Sequence, residues 1–311
     1  MEFLLEYKFE RVSEKVQDYK NYQIEEIENK NNENLLETLK EFENKNFIDK
    51  SSKEIESLCA KINQIYSKKL GIKPAIIEYL PWCNCGFMQT FTDRNYVQIS
   101  EEFFIAYRNN KVIDLSKNQV GYFYLYGILH ETFHTYQNYN LYQYFNGKQL
   151  NKKDLQDYLE SMIVEFRTKG YSYFEQLTFY STDLTEFRAN QFAISCMIEL
   201  ANSGYLNREE CVKFLKLHFK KYVRDAFCKD NVNFTKKAFK INFEQFKEIK
   251  RLDDNSFSVI DTKNLKNLCN ECENIDIDKL YEKTLTEIKE LEKNINSISL
   301  VEEQLVDKHT N

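Results

Sequence analysis

Seven glycines and two prolines in 311 residues leave this chain few places to turn sharply. Tight turns draw on those two types, because Gly reaches positive φ without strain and Pro presets φ. Folds made of many short turns, such as sandwiches, propellers and barrels, are therefore not expected. Long helices with few connections are. Hydrophobic residues at 42% and aromatics at 15% are enough for a real core, which excludes disorder throughout. The length suits one large domain or two smaller ones.

Charge narrows the partners. The 43 basic and 49 acidic residues give a formal net charge of -6, a mixed surface that argues against nucleic-acid binding. No stretch approaches about 20 uninterrupted apolar residues, so no membrane span is expected. The N-terminus places Glu2 where a secretory signal carries Lys or Arg, and its apolar run is short. A cytoplasmic location is expected, specialised export aside, with the eight cysteines as reduced thiols.

Along the chain, residues 1–50 are rich in Glu, Lys and Asn, and Glu25–Asn34 reads as a solvated helix or a loose connection. Ser51 and Glu54 form a capping box. Behind it Ile55, Leu58, Cys59, Ile62, Ile65, Tyr66 and Leu70 recur at three- and four-residue steps, and Gly71 stops the helix. Ala75–Leu80, Gly86–Thr92 and Asn95–Ser100 read as three short strands, with a hairpin turn at Asp93–Asn95. Helices are then expected from about Ser116 to Asn140, from Asn151 to Gly170, from Asp183 to Gly204, and over 207–224 and 278–297. The fold class is α+β, mostly helical, with one small antiparallel or mixed sheet.

The helix near residue 130 reads Leu129-His130-Glu131-Thr132-Phe133-His134. Two His four residues apart share one helix face, so both rings reach one metal ion. Glu131 stands beside the first of them, placed to take a proton from a metal-bound water and hand it to a leaving group. Chance gives this pattern in fewer than about one in a hundred such chains. Its neighbours Tyr122, Phe123, Leu125, Tyr126, Ile128 and Leu129 make the helix a buried one, where polar groups without a purpose are costly.

A catalytic ion needs a third protein ligand and one open position. No third His is near. Glu186 is the candidate, because Ala189 and Ala193 on its face let its helix approach closely; capping opposite Asp183 is its ordinary alternative. Asn190, one turn on, would orient a ligand. Glu165, Glu175 and Glu199 lack the small-residue setting. Gln137 shares the His130 face and either bonds a ligand or serves packing. A donor opposite the water would be His218, Tyr136, Tyr171 or Tyr180. His218 lies among Lys216, Lys220 and Lys221, which reads as a solvated face. Cys83/Cys85 and Cys269/Cys272 would make a second zinc site only if the fold brought them together.

His130 to Gln137 (His-Glu-x-x-His-x-Tyr-Gln) followed by Glu186 to Ala193 (Glu-x-x-Ala-Asn-x-Phe-Ala) resembles the gluzincin-type zinc metallopeptidases. It is nearest to a group of small bacterial and phage zincin-like proteins related to peptidases that cleave phage repressors. The resemblance covers roughly residues 75–200. It implies one zinc per chain on His130, His134 and Glu186, with Glu131 as general base in hydrolysis of peptide bonds of a protein substrate. It also implies that Asn95–Ser100 is the edge strand that aligns an extended peptide. Two features depart from the pattern: an extra helix between His134 and Glu186, and flanks that match nothing familiar. The expected organisation is an N-terminal helical segment 1–70, a zincin-like core 71–205 and a C-terminal helical segment 206–311. The alternatives are a binding or regulatory protein whose zincin core is structural or inactive, and an exported effector or toxin protease.

Overall fold

A computed structural model describes residues 31–43, 47–80, 88–91, 95–100, 119–145, 157, 173–238 and 276–306. The elements are α1 (Asn31–Glu43), a short 3-10 turn (Phe47–Asp49), α2 (Ser52–Lys69), β1 (Ile76–Leu80), β2 (Met88–Phe91), β3 (Tyr96–Ser100), α3 (Val120–Phe145), α4 (Tyr173–Thr182), α5 (Leu184–Asn202), α6 (Arg208–Phe219) with a π-helical turn (Lys220–Arg224), and α7 (Ile277–Val306). Residues 229–238 are helical as well. The described residues are thus mostly helical, with one small mixed sheet. The helix expected over Asn151–Gly170 falls outside the described residues apart from Asp157, as do Tyr171, Glu165 and both close cysteine pairs.

The described residues fall into two compact units. One lies within Glu14–Tyr136, Gln191–Leu217 and Lys293–Asn311, and the other within Met1–Ser13, Gln137–Asn190 and His218–Glu292. In the first unit α2 starts on its capping box: the Ser51 backbone N–H donates to Glu54 at 2.8 Å, and the Glu54 N–H donates to the Ser51 hydroxyl at 3.3 Å. Gly71 follows the helix at φ 69°, the left-handed turn its sequence called for. α1 comes so close to α3 that a Cβ on Gly121 would lie 1.7 Å from the Phe42 carbonyl oxygen, so only glycine fits there. Glu43 binds the N-terminal end of α6 to the same region, accepting from the Tyr122 hydroxyl at 2.8 Å and from the Asn207 backbone N–H.

The sheet order is β1-β3-β2. β2 and β3 form an antiparallel hairpin with Thr90 opposite Val97, and β1 runs parallel to β3 with Ile77 opposite Val97. Asn95 closes the hairpin turn at φ 45°. This corrects one expectation. The strand over 95–100 is central, not an edge, because β1 takes up the side of β3 that the hairpin leaves open. The described edges are β1 and β2. On β1, the Tyr79 N–H already donates to Glu56 of α2 at 3.1 Å.

A buried amide joins these layers. Asn63 of α2, fully buried, donates to the Thr132 hydroxyl of α3 at 2.8 Å and accepts from the Ala75 backbone N–H at 2.8 Å. Without this side chain the Ala75 N–H would be buried with its bond lost, a cost of roughly 1–3 kcal/mol, whereas the Thr132 hydroxyl also donates to the Ile128 carbonyl at 2.6 Å.

The second unit packs around Phe179, which stacks on Phe234 with centroids 5.0 Å apart, and around Phe227, which lies against Phe187 and Tyr281. Tyr281 of α7 donates to the Thr182 carbonyl at 3.1 Å. Arg188 of α5 is buried between two carboxylates, Asp157 at 2.6 Å and Glu287 of α7. Burial works against the guanidinium charge, and the two carboxylates more than restore it.

Cys59, Cys196 and Cys211 are buried and free, whereas Cys228 is exposed and free. Burial pushes the buried thiols up, to about 12 for Cys196 and Cys211. A thiol is unreactive until ionised. With Ellman's reagent on the native protein at pH 8, C228S is expected to remove one rapidly reacting equivalent. C59S, C196S and C211S are expected to remove none; rapid loss from any of those three would contradict the packing described.

Candidate metal centre

α3 carries apolar residues on every side, so it is buried along most of its length, with Tyr122, Tyr124, Leu125, Ile128 and Leu129 all withdrawn from solvent. His130 and His134 are half-buried on one face, one turn apart. Their rings meet edge to face at 4.6 Å between centroids, and their Nε2 atoms are 2.9 Å apart. Two imidazole nitrogens this close either share a proton or turn both lone pairs to one cation.

The Glu186 carboxylate joins them. The ligand atoms of His130, His134 and Glu186 all lie within 4.8 Å of one another, so the three could hold a metal ion. Bonds of about 2.0–2.2 Å at tetrahedral angles set the ligand atoms of one zinc ion roughly 3.3–3.6 Å apart. A side-chain movement of about an ångström closes that difference. Two imidazoles and one carboxylate are the donor types of a three-ligand zinc site, and the residues fit the ion. Among the described residues no other group of three or more His, Cys, Asp or Glu side chains has this arrangement.

At the start of α5 the Asp183 carboxylate accepts from the Thr185 N–H and the Thr185 hydroxyl, both at 2.8 Å, and the Asp183 N–H donates to the Tyr180 carbonyl at 3.3 Å. Gln137 supplies the other restraint. Its side-chain amide donates to the Thr185 carbonyl at 3.0 Å, one residue before Glu186. Of the two roles open for Gln137, this contact is with the backbone that carries the expected ligand. Asn190 is half-buried one turn along α5. Glu199 is exposed, and Glu175 on α4 is outside the donor group.

Glu131 is buried at 7% exposure. Its backbone carbonyl accepts from the Thr135 hydroxyl at 3.1 Å, and its side-chain Oε2 accepts from the Thr90 hydroxyl at 2.6 Å. Oε1 makes no hydrogen bond among the described residues. Thr90, on β2, is the residue that sequence reasoning missed. Only the strand register brings it to the helix, and nothing in the local pattern points to it.

His218 is buried, not solvated, with its ring 4.4 Å from that of Tyr222. The period of α6 explains the difference: His218 follows Phe214 by four residues and Leu215 by three, which are the buried positions, while Lys216 and Lys220 are exposed. Of the tyrosines considered as donors, Tyr180 is 60% exposed, and Tyr136 is half-buried against Phe133 at 5.4 Å.

Compared with protein-family models, with curated proteins and with solved structures, the chain finds no match. No helix among the described residues is long and apolar enough to cross a membrane.

Proposed function

We propose that the protein is a zinc-dependent peptidase that hydrolyses peptide bonds of a protein substrate, with His130, His134 and Glu186 holding the ion and Glu131 as general base. The observation that carries this reading is the buried Glu131 carboxylate next to His130, with Oε2 held by Thr90 and Oε1 making no hydrogen bond among the described residues. A site that only holds a metal for stability needs no carboxylate of this kind. Zinc in such a donor set supplies Lewis acidity and an acidified water. The remaining work falls to side chains. Glu131 accepts a proton at Oε1 and returns it to the departing amine, while Gln137 and Asp183 hold the start of α5 so that Glu186 keeps its position.

The sheet supports a peptide as the substrate. With β1 partly occupied by Glu56 and β3 central, β2 is the described edge an extended segment would join by backbone hydrogen bonds. The role that the resemblance gave to residues 95–100 passes to β2.

The test is metal content together with cleavage. The purified full chain is expected to hold about one zinc and to cut members of a peptide library. His130→Ala with His134→Ala should empty the site. Glu186→Ala should weaken zinc binding more than Asn190→Ala, because the first removes a bond to the metal and the second an orienting contact worth roughly ten- to a hundredfold. A full equivalent of zinc in the double His variant overturns the site. Zinc without cleavage favours the structural or regulatory alternative.

A further inference from the structure

We infer that Thr90 is a positioning residue for Glu131, an inference that rests on the peptidase reading above. The Thr90 hydroxyl lies 2.6 Å from Glu131 Oε2 and 3.0 Å from the Glu131 backbone carbonyl. A hydroxyl has one proton, so only one of these contacts is a donated bond at a time. The carboxylate is the stronger acceptor, and 2.6 Å is the length of a charge-assisted O–H···O bond. The carbonyl is already served by Thr135 at 3.1 Å.

The bond does two things. It fixes the carboxylate rotamer from a second element, since a Glu side chain on a helix otherwise turns about three bonds. It also occupies Oε2, so Oε1 is the oxygen left to accept a proton. Thr90 reaches the carboxylate from β2, the strand proposed to receive the substrate. Peptide register and base position are then set by the same strand. A half-buried strand position facing a helix ordinarily favours Val or Ile, and a hydroxyl there is costly unless bonded. Both acceptors it faces belong to Glu131.

The experiment compares Thr90→Val, which keeps the shape and loses the hydroxyl, with Thr90→Ser, which keeps the hydroxyl. Each full-length protein is loaded with one equivalent of zinc and titrated calorimetrically with acetohydroxamic acid (acetohydroxamate once bound), a chelator whose hydroxyl proton a well-placed neighbouring carboxylate accepts. Thr90→Val is expected to retain zinc and lose about tenfold in acetohydroxamate affinity, in the range of lost orienting contacts. Thr90→Ser is expected to return to near the wild-type value. Crystals of the metal-free Thr90→Val protein should show the Glu131 carboxylate turned away from its wild-type position. Unchanged affinity and an unmoved carboxylate in Thr90→Val would overturn the positioning role while leaving the peptidase reading in place. A wild-type protein that takes up no zinc, or binds zinc and ignores acetohydroxamate, would overturn both.

Discussion

Replacing Glu131 by Gln is expected to leave zinc bound and to lower peptide hydrolysis at least about a hundredfold. Gln has nearly the same shape and still offers an oxygen and an amide to the Thr90 hydroxyl, so the link from β2 to α3 survives. What it lacks is the basicity to accept a proton. The effect should fall on kcat, with KM little changed, because the side chain acts in the reaction and not in holding the peptide. Hydrolysis rates on the best peptide from a library digest, with zinc content measured on the same samples, decide the matter. Turnover at the wild-type rate would show that Glu131 is not the base.

Arg188→Leu is expected to destabilise the protein by roughly 3–5 kcal/mol. Asp157 is 2% exposed and Glu287 is largely covered, so removing the guanidinium leaves two carboxylates facing each other in a buried place. The attraction now present offsets a large desolvation cost, and the variant keeps that cost without the attraction. The thermal midpoint should fall by on the order of 10 °C. Replacing Asp157 by Asn and Glu287 by Gln in the Arg188→Leu background should recover part of the loss, since neutral amides tolerate burial better than unpaired charges. A midpoint within a degree or two of wild type for Arg188→Leu alone would mean that the triad contributes nothing measurable.

What could be read from the sequence was local. The capping box at Ser51, the stop at Gly71 and the His130–His134 spacing each depend on residues within one or two turns, and each is found as expected. Glu186 was reachable because Ala189 and Ala193 mark a helix face that approaches closely. Three helical stretches were not legible, α1, α4 and residues 229–238. α1 buries Leu35, Leu39 and Phe42 at helical spacing, but the surrounding Glu, Lys and Asn hide so short a stripe. α4 is built from Tyr, Phe, Thr and Ser, which form helices poorly, and it is held by packing of Phe179 on Phe234 and by the Thr182–Thr235 hydroxyl contact. Strand order was illegible for a different reason. Alternation says which face is buried, but not that β1 would run parallel beside β3 and leave β2 at the edge. Thr90 stayed hidden with it. His218 was misplaced because its lysine neighbours drew more weight than the four-residue step from Phe214.

The amide that joins α2, β1 and α3 gives the molecule an internal clock. The Ala75 N–H is held by Asn63, which at the same time holds Thr132, between His130 and His134 on α3. Deuterium can replace that hydrogen only when the N–H parts from the Asn63 side-chain oxygen. Exchange at Ala75 therefore reports how often the buried junction of α2 and β1 opens, at a single backbone position.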